Sequence, residues 1–97
     1  MSVSIQVAYP RGDGSRFDFD YYLTRHFEVV DAHFGPFLES ALVTRGADDA
    51  PFHAIATLIF ADAAARGSAL AASGPVMADI SNFTDSPPMV QLGDVVG

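Results

Sequence analysis

The side chain with the clearest chemical potential in this sequence is the imidazole of His26. It follows Tyr22 by four residues, about one helical turn, so a phenol and an imidazole can lie side by side. Such a pair can pass a proton, because histidine gains and loses its proton near neutral pH. The alternative is a neutral His26 that packs in the core with one hydrogen bond. The sequence leaves both interpretations open.

The segment that must position His26 is a predicted helix from Asp18 to Phe34, capped by Asp18 and ended by Gly35. At about 100° per residue, one face of this helix is largely apolar and carries Phe19, Leu23, His26, Val30 and Phe34. The opposite face is mostly polar and includes Tyr21. We therefore expect Leu23 and His26 to point inward and Tyr21 to point outward.

Four further stretches have the composition or alternation of β-strands: Val3–Tyr9, Leu38–Arg45, Phe52–Phe60 and Met89–Val96. Asp62 is placed to cap a second helix at 63–72, and 76–82 is either one more helical turn or extended. The predicted fold class is therefore α+β. The order βαββαβ is that of a ferredoxin-like domain, with a four-stranded antiparallel sheet and both helices on one face. We predict a single domain over residues 1–97.

The third predicted strand is apolar on both faces, although two helices can cover only one face of the sheet. An exposed apolar surface of this kind is typical of a binding surface for a partner. The simplest partner is a second copy, related by a two-fold axis. We therefore predict a homodimer through the open sheet face, which is a dimeric α/β barrel.

Several other residues are candidates for a pocket. Asp79 can accept the N–H of His26 and orient it, or it can cap the backbone at the junction that follows. His53 begins the third strand, where it either lines a pocket near Gln6 and Thr57 or lies exposed at the rim. Apolar walls are expected from Phe19, Tyr22, Ile55 and Phe83.

Composition argues against several classes of partner and cofactor. The chain has 5 basic and 12 acidic residues, a formal charge of −7, and all five cations are arginines. Without a basic patch we predict no binding to nucleic acid or to anionic membranes. No cysteine is present, and the histidines at 26 and 33 lie too far apart for a helical metal motif, so no metal site is predicted. No flavin, nicotinamide or haem signature occurs, so no cofactor is expected, and the cytoplasm is the predicted location.

A set of short stretches, taken together, resembles the EthD family of the dimeric α/β-barrel superfamily. They include Phe17-Asp18 before Tyr21-Tyr22 and His26, Arg45-Gly46, Pro51-Phe52-His53-Ala54, Phe60, 78–84 and 91–95. The resemblance covers almost the whole chain in the right order. One departure is Glu28, which stands where the family commonly has proline.

The EthD resemblance implies a fold and a dimer more than a reaction. The family is associated with breakdown of ethyl tert-butyl ether beside an oxidising system. The wider superfamily includes lactone isomerases, polyketide cyclases or dehydratases, and cofactor-free monooxygenases. By this resemblance His26 is the position most like a functional residue of the family, with Asp79 and Phe83 in a second matching stretch.

Two functions follow as hypotheses. In the first, the protein binds a small apolar or aromatic molecule and His26 moves a proton in an isomerisation, dehydration or cofactor-free oxidation. In the second, it is a non-catalytic binding or accessory protein of a degradative oxidising system. The environment of His26 separates them, because a catalytic imidazole needs contact with a cavity and a structural one does not.

Overall fold

The fold is an antiparallel sheet with helices against one face, in a computed structural model that describes residues 1–97. The strands are β1 (Val3–Pro10), β2 (Leu38–Arg45), β3 (Phe52–Phe60) and β4 (Met89–Asp94). Their order in the sheet is β2-β3-β1-β4, and every neighbouring pair is antiparallel. The predicted ferredoxin-like α+β fold is confirmed. β2 and β3 have the predicted bounds, whereas β4 ends at Asp94 rather than at Val96.

Three helices connect the strands. Helix α1 spans residues 19–34 in three parts: α-helical Phe19–Tyr21, π-helical Tyr22–His26 and α-helical Phe27–Phe34. Helix α2 is Ala63–Ala71, and α3 is Gly74–Asp79, which continues into a 3₁₀ turn at Ile80–Asn82. The stretch that the sequence left ambiguous is therefore helical. Asp18 and Asp62 cap α1 and α2 as predicted, through hydrogen bonds from the N–H groups of Tyr21 and Ala65.

The π-helical part of α1 changes which residues point inward. A π-helix takes more residues per turn than an α-helix, so positions assigned at 100° per residue shift around the axis. Leu23, predicted to be inward, is 56% exposed, and that prediction is wrong. Tyr22 is 1% exposed and His26 3% exposed, so both point inward. Tyr21, predicted to point into solvent, is half-buried.

The hydrophobic core lies between the helices and one face of the sheet. Val3, Ile5 and Tyr9 of β1 alternate with less buried residues, as the period of two predicts. The core divides into an aliphatic cluster and an aromatic cluster. The aliphatic cluster is Val3, Ile5, Val30, Phe34, Leu58, Phe60, Ala69 and Val76. The aromatic cluster is Tyr9, Tyr22, Ala54, Ile80 and Phe83. Helices α1, α2 and α3 thus all pack on the same face.

The other face of the sheet is not covered by any part of the chain. Leu42 of β2 and Met89 of β4 are 65% and 60% exposed on the two outer strands. Ile55 is half-buried on the central strand β3. Gln6 forms a polar strip across this face, since it donates to Thr57 Oγ1 at 3.3 Å. The open face therefore mixes exposed apolar side chains with a few paired amides. None of the helices has the length and apolar content to cross a bilayer.

Candidate functional site

A hydrogen bond between His26 and Asp79 forms the centre of the site. The Nδ1 atom of His26, on the π-helical part of α1, lies 2.9 Å from Oδ2 of Asp79, the last residue of α3. The His26 side chain is 3% exposed and that of Asp79 is 13% exposed, so the contact is sheltered from water. The aspartate makes no capping hydrogen bond at its helix end. Of the two interpretations of Asp79, the structure places it against His26 rather than at a cap.

Two further side chains donate hydrogen bonds to Oδ1, the other carboxylate oxygen of Asp79. The hydroxyl of Tyr21 donates to Oδ1 at 2.8 Å, and so does Nδ2 of Asn82, also at 2.8 Å. Asn82 lies three residues after Asp79 on the same helical stretch, a spacing that sequence inspection could have noticed. Tyr21 was missed because the π-helical turn brings it towards a face that an ideal helical wheel assigns to solvent.

The electrostatics of the pair favour an ionised aspartate and a neutral histidine. Burial lowers the pKa of His26 below its ordinary 6.5, although hydrogen bonding to Asp79 partly opposes this. Burial alone would raise the pKa of Asp79, but hydrogen bonds from Asn82, His26 and Tyr21 outweigh it and lower that pKa. At neutral pH the carboxylate therefore accepts the Nδ1 proton of a neutral imidazole. This tautomer leaves a lone pair on Nε2.

A cavity of about 170 Å³ lies between the sheet and the helices, and His26 and Tyr22 line it. Fourteen of its 16 lining residues are hydrophobic. The lining also includes Leu70, Met77 and Val90, which are 38%, 44% and 49% exposed and so mark its mouth. The full set is Ile5, Val7, Tyr9, Tyr22, His26, Phe27, Val30, Phe34, Ala56, Leu58, Leu70, Ser73, Val76, Met77, Ile80 and Val90.

The second nitrogen of His26 has no hydrogen-bond partner in the protein, since the imidazole bonds only to Asp79. Every fully buried side-chain nitrogen or oxygen has a hydrogen-bond partner. Nε2 therefore borders accessible space, and the cavity is the space that His26 lines. The imidazole is thus anchored at one nitrogen and open at the other, which is the arrangement of a general base.

Aromatic rings fix the plane of the imidazole. Tyr22 stacks on His26 with ring centroids 5.5 Å apart and planes 15° apart. Phe83 packs against the same imidazole at 4.6 Å and is fully buried, so it supports His26 and does not line the cavity. The predicted proton relay from Tyr22 to His26 is not present as a hydrogen bond, because the two side chains meet through their ring faces. Burial raises the pKa of Tyr22, so its hydroxyl stays protonated.

The other residues predicted to line one pocket do not lie at this cavity. Gln6, Ile55 and Thr57 are on the open face of the sheet, on the far side from His26. Phe19 lies at the outer end of the aromatic cluster, with the guanidinium of Arg45 4.5 Å from its ring centroid. Both faces of β3 are apolar, so the sequence could not indicate which of them borders the cavity.

His53 lies at the rim of the sheet, away from both Gln6 and the cavity. A β-bulge between Tyr9 and Pro10 leaves His53 without a register partner on β1. The imidazole instead contacts Ser15 Oγ through Nε2 at 2.8 Å and stacks on Phe17 at 5.6 Å. It is only 8% exposed, so the alternative prediction of an exposed rim histidine is also wrong. No group of three or more histidine, cysteine or acidic side chains is arranged to hold a metal ion.

Comparison with solved structures agrees with this architecture. The structure superimposes on an EthD-like protein from Ralstonia eutropha JMP134 with a TM-score of 0.85 and 32% sequence identity, over 99% of this chain and 93% of that one. SnoaB from Streptomyces nogalater, a cofactor-independent oxygenase solved as its N63A mutant, gives a TM-score of 0.68 and 17% identity, over 99% and 93% of the two chains. A dimeric ferredoxin-like protein of unknown function from Jannaschia sp. CCS1 gives 0.59 and 18%, over 98% and 100%.

These similarities define the chain as a ferredoxin-like α+β protein. The last two matches are below 25% identity and show the fold alone. No model of a known protein family matches the sequence, and no curated protein does. The match to the Ralstonia eutropha protein is nevertheless close and nearly complete. The chain belongs to the EthD family, and the resemblance found in its sequence is confirmed.

Proposed function

We propose that this protein binds a small apolar molecule in the cavity and that His26 removes a proton from it without a cofactor. The observation that carries the proposal is the asymmetry of the imidazole, which is bound at Nδ1 by Asp79 and free at Nε2 beside the cavity. A structural histidine in a packed core would have no open nitrogen next to a cavity. This environment favours the catalytic hypothesis over a purely structural role.

The chemistry assigned to the pair is a proton transfer. Nε2 accepts a proton from the bound molecule, and the imidazolium that forms is stabilised by the Asp79 carboxylate, 2.9 Å from Nδ1. The carbanion that is left is protonated at a different carbon in an isomerisation. In a dehydration its electron pair expels hydroxide from the neighbouring carbon. An oxidation would in addition require dioxygen as co-reactant. SnoaB, which shares the fold, is a cofactor-independent oxygenase, and this supports including that route.

The test uses solvent exchange, because it needs no knowledge of the natural substrate. Small ketones and lactones with acidic C–H bonds are incubated with the protein in D₂O, and loss of their proton signals is followed by NMR. We expect exchange with the wild-type protein and a reduction of about 10²- to 10⁴-fold in His26→Gln. His33→Gln is the matched control, since His33 is half-buried on the same helix but does not line the cavity.

Two outcomes would contradict the proposal. If His26→Gln exchanges these protons as fast as the wild-type protein, then His26 is not the base. If compounds bind in the cavity but none is converted and none exchanges its protons, the result favours the non-catalytic binding or accessory protein instead. His26→Gln should remain folded at pH 8 with a modestly lower melting temperature, because it loses the ring packing of a 3% exposed imidazole while Asp79 keeps its hydrogen bonds from Tyr21 and Asn82.

We also propose that two copies associate through the open sheet face. Leu42 and Met89 are more than half exposed there, and exposed apolar side chains grouped on one surface favour a protein partner. The ferredoxin-like protein from Jannaschia sp. CCS1, which has the same fold, is dimeric, and this supports association of two copies. The absence of cysteine is compatible with the predicted cytoplasmic location, which stays a prediction.

The dimer is tested by light scattering at micromolar concentration. Ile55→Lys places a charge near the middle of the open face and should give a monomer. Ser68→Lys adds the same charge on the exposed side of α2 and should leave the dimer intact. A monomeric wild-type protein, or a dimer that survives Ile55→Lys, would contradict the interface.

A further inference from the structure

The cavity contains a second polar group whose role the proton transfer alone does not explain. Tyr22 lines the cavity and is 1% exposed; its oxygen accepts a hydrogen bond from the phenol of Tyr9, which leaves its own hydroxyl proton without an acceptor in the protein. Tyr22 and His26 both line the cavity, so this hydroxyl proton and the unpartnered Nε2 of His26 are available to a bound molecule. One wall of the cavity therefore presents a hydrogen-bond donor and a base on two stacked rings.

The two rings differ in what they can do. Their centroids are 5.5 Å apart with planes 15° apart, and both side chains line the same cavity. Burial raises the pKa of Tyr22 and lowers the pKa of His26, which keeps the phenol a donor and the imidazole an acceptor at neutral pH. A donor next to a base is the arrangement that assists removal of a proton beside a carbonyl group.

We propose, on the basis of the proposed function, that the cavity accepts a neutral enolisable carbonyl compound about the size of a single six-membered ring. Tyr22 donates a hydrogen bond to the carbonyl oxygen, and Nε2 of His26 takes a proton from the adjacent carbon. The C–H electron pair forms the new C=C bond, and the carbonyl π electrons move to oxygen, which becomes an enolate oxyanion held by Tyr22. Return of a proton from the imidazolium to the same carbon gives solvent exchange, whereas its delivery to the γ-carbon of the dienolate of a β,γ-unsaturated ketone gives an isomerisation. In both cases the carbonyl re-forms and His26 and Tyr22 return to their starting states.

The lining and the volume narrow the class of compound further. No arginine lines the cavity, and its two other hydroxyl groups are engaged: Ser73 donates to the carbonyl oxygen of Leu70 at 2.7 Å, and Tyr9 donates to the phenol oxygen of Tyr22. A carboxylate ligand would find no cation there, and an unpaired buried charge is unfavourable. The volume of about 170 Å³ slightly exceeds the roughly 150 Å³ of an engineered apolar cavity that holds benzene. A single ring with one carbonyl fits these limits.

The test compares cyclohexanone with cyclohexanecarboxylate and anthrone as ligands of the wild-type protein. We expect the carboxylate to bind about 100-fold more weakly than the ketone, and the three-ring anthrone to be excluded. The ¹³C signal of the bound ketone carbonyl should move to higher frequency than in water-saturated organic solvent, because Tyr22 donates to its oxygen. This measurement needs no variant. An unshifted carbonyl, or a carboxylate that binds as tightly as the ketone, would overturn the proposal.

Variants then assign the donor. Tyr22→Phe keeps the ring that stacks on His26 and removes only the hydroxyl. It should slow exchange of the ketone α-protons by about 10²-fold or more and abolish the carbonyl shift. His26→Gln should abolish exchange but keep the carbonyl shift, and Ser68→Ala, on the outside of α2, should change neither. If Tyr22→Phe retains both rate and shift, the donor role of Tyr22 is wrong even where His26 remains the base.

Discussion

The substitution Asp79→Asn tests most directly how the base is set. It keeps the size of the side chain but removes the charge that faces Nδ1 of His26 at 2.9 Å. Tyr21 and Asn82 both donate towards the Oδ1 position, so the amide oxygen of the new side chain should take that place. Its NH₂ group then faces Nδ1 of His26 and donates to it. The imidazole proton moves to Nε2, and the lone pair beside the cavity is lost.

The size of the effect can be worked from the hydrogen bond that changes. A hydrogen bond to a charged group contributes about 1.5–3 kcal/mol and one between neutral groups about 0.5–1.5 kcal/mol, so the free energy of unfolding should fall by about 1 kcal/mol at pH 7. The effect on catalysis should be larger, a loss of about 10²- to 10⁴-fold, because the base is no longer available. A small loss of stability together with a large loss of activity would show that Asp79 acts mainly by orienting His26 and contributes little to folding.

The assay is ¹⁵N NMR of the His26 imidazole, together with solvent exchange and chemical denaturation. In the wild-type protein at pH 8 we expect the proton on Nδ1, and in Asp79→Asn on Nε2. Asp49→Asn is the control, because it removes the same charge from an exposed turn far from the site. A wild-type imidazole with its proton on Nε2, or a variant with unchanged tautomer, would refute the reasoning.

Three other predictions follow from the described geometry. As pH falls from 8 to 5, the unfolded chain protonates His26 near its ordinary 6.5 before the folded chain does, because burial lowers the folded pKa. Wild-type stability should therefore fall, by at most about 1.4 kcal/mol per pH unit for this group, and His26→Gln should fall less steeply in urea titrations at each pH. Leu23→Ala should change the unfolding free energy by less than about 0.5 kcal/mol because Leu23 is exposed, whereas Val30→Ala should lower it by about 2 kcal/mol because Val30 is buried. Equal losses would contradict the outward position that the π-helical turn gives Leu23. Gly46→Ala should lower stability by at least about 1 kcal/mol, since its Cβ would meet the carbonyl oxygen of Phe52. Gly12→Ala is the control, because a Cβ there meets nothing and stability should not fall. Thermal unfolding measures both variants.

The strands could be predicted well because their signal is local. Alternation along β1 reports which side chains face the core, and turn residues such as Gly46 and Pro51 bound β2 and β3. The order of elements then left few topologies, of which the ferredoxin-like sheet is the simplest. Helix caps were equally readable, since Asp18 and Asp62 each precede the turn whose N–H groups they accept from.

The site was only partly predictable because it depends on contacts between distant segments. His26 and Asp79 lie 53 residues apart, so their contact was only one of two open interpretations of Asp79, the other being a backbone cap. The π-helical turn has no sequence signature, so a regular helical wheel put Leu23 inside and Tyr21 outside. The β-bulge before His53 likewise moved that side chain off the face that strict alternation assigns to it.

Helix α3 carries both the anchor of the base and part of the cavity entrance. Asp79 is its last residue, and Met77, two positions earlier, is one of the exposed residues at the mouth. Because six residues form a single short helix, any displacement of α3 that widened the entrance would also change the distance between the Asp79 carboxylate and the imidazole. The width of the entrance and the orientation of the base therefore depend on the position of the same short helix.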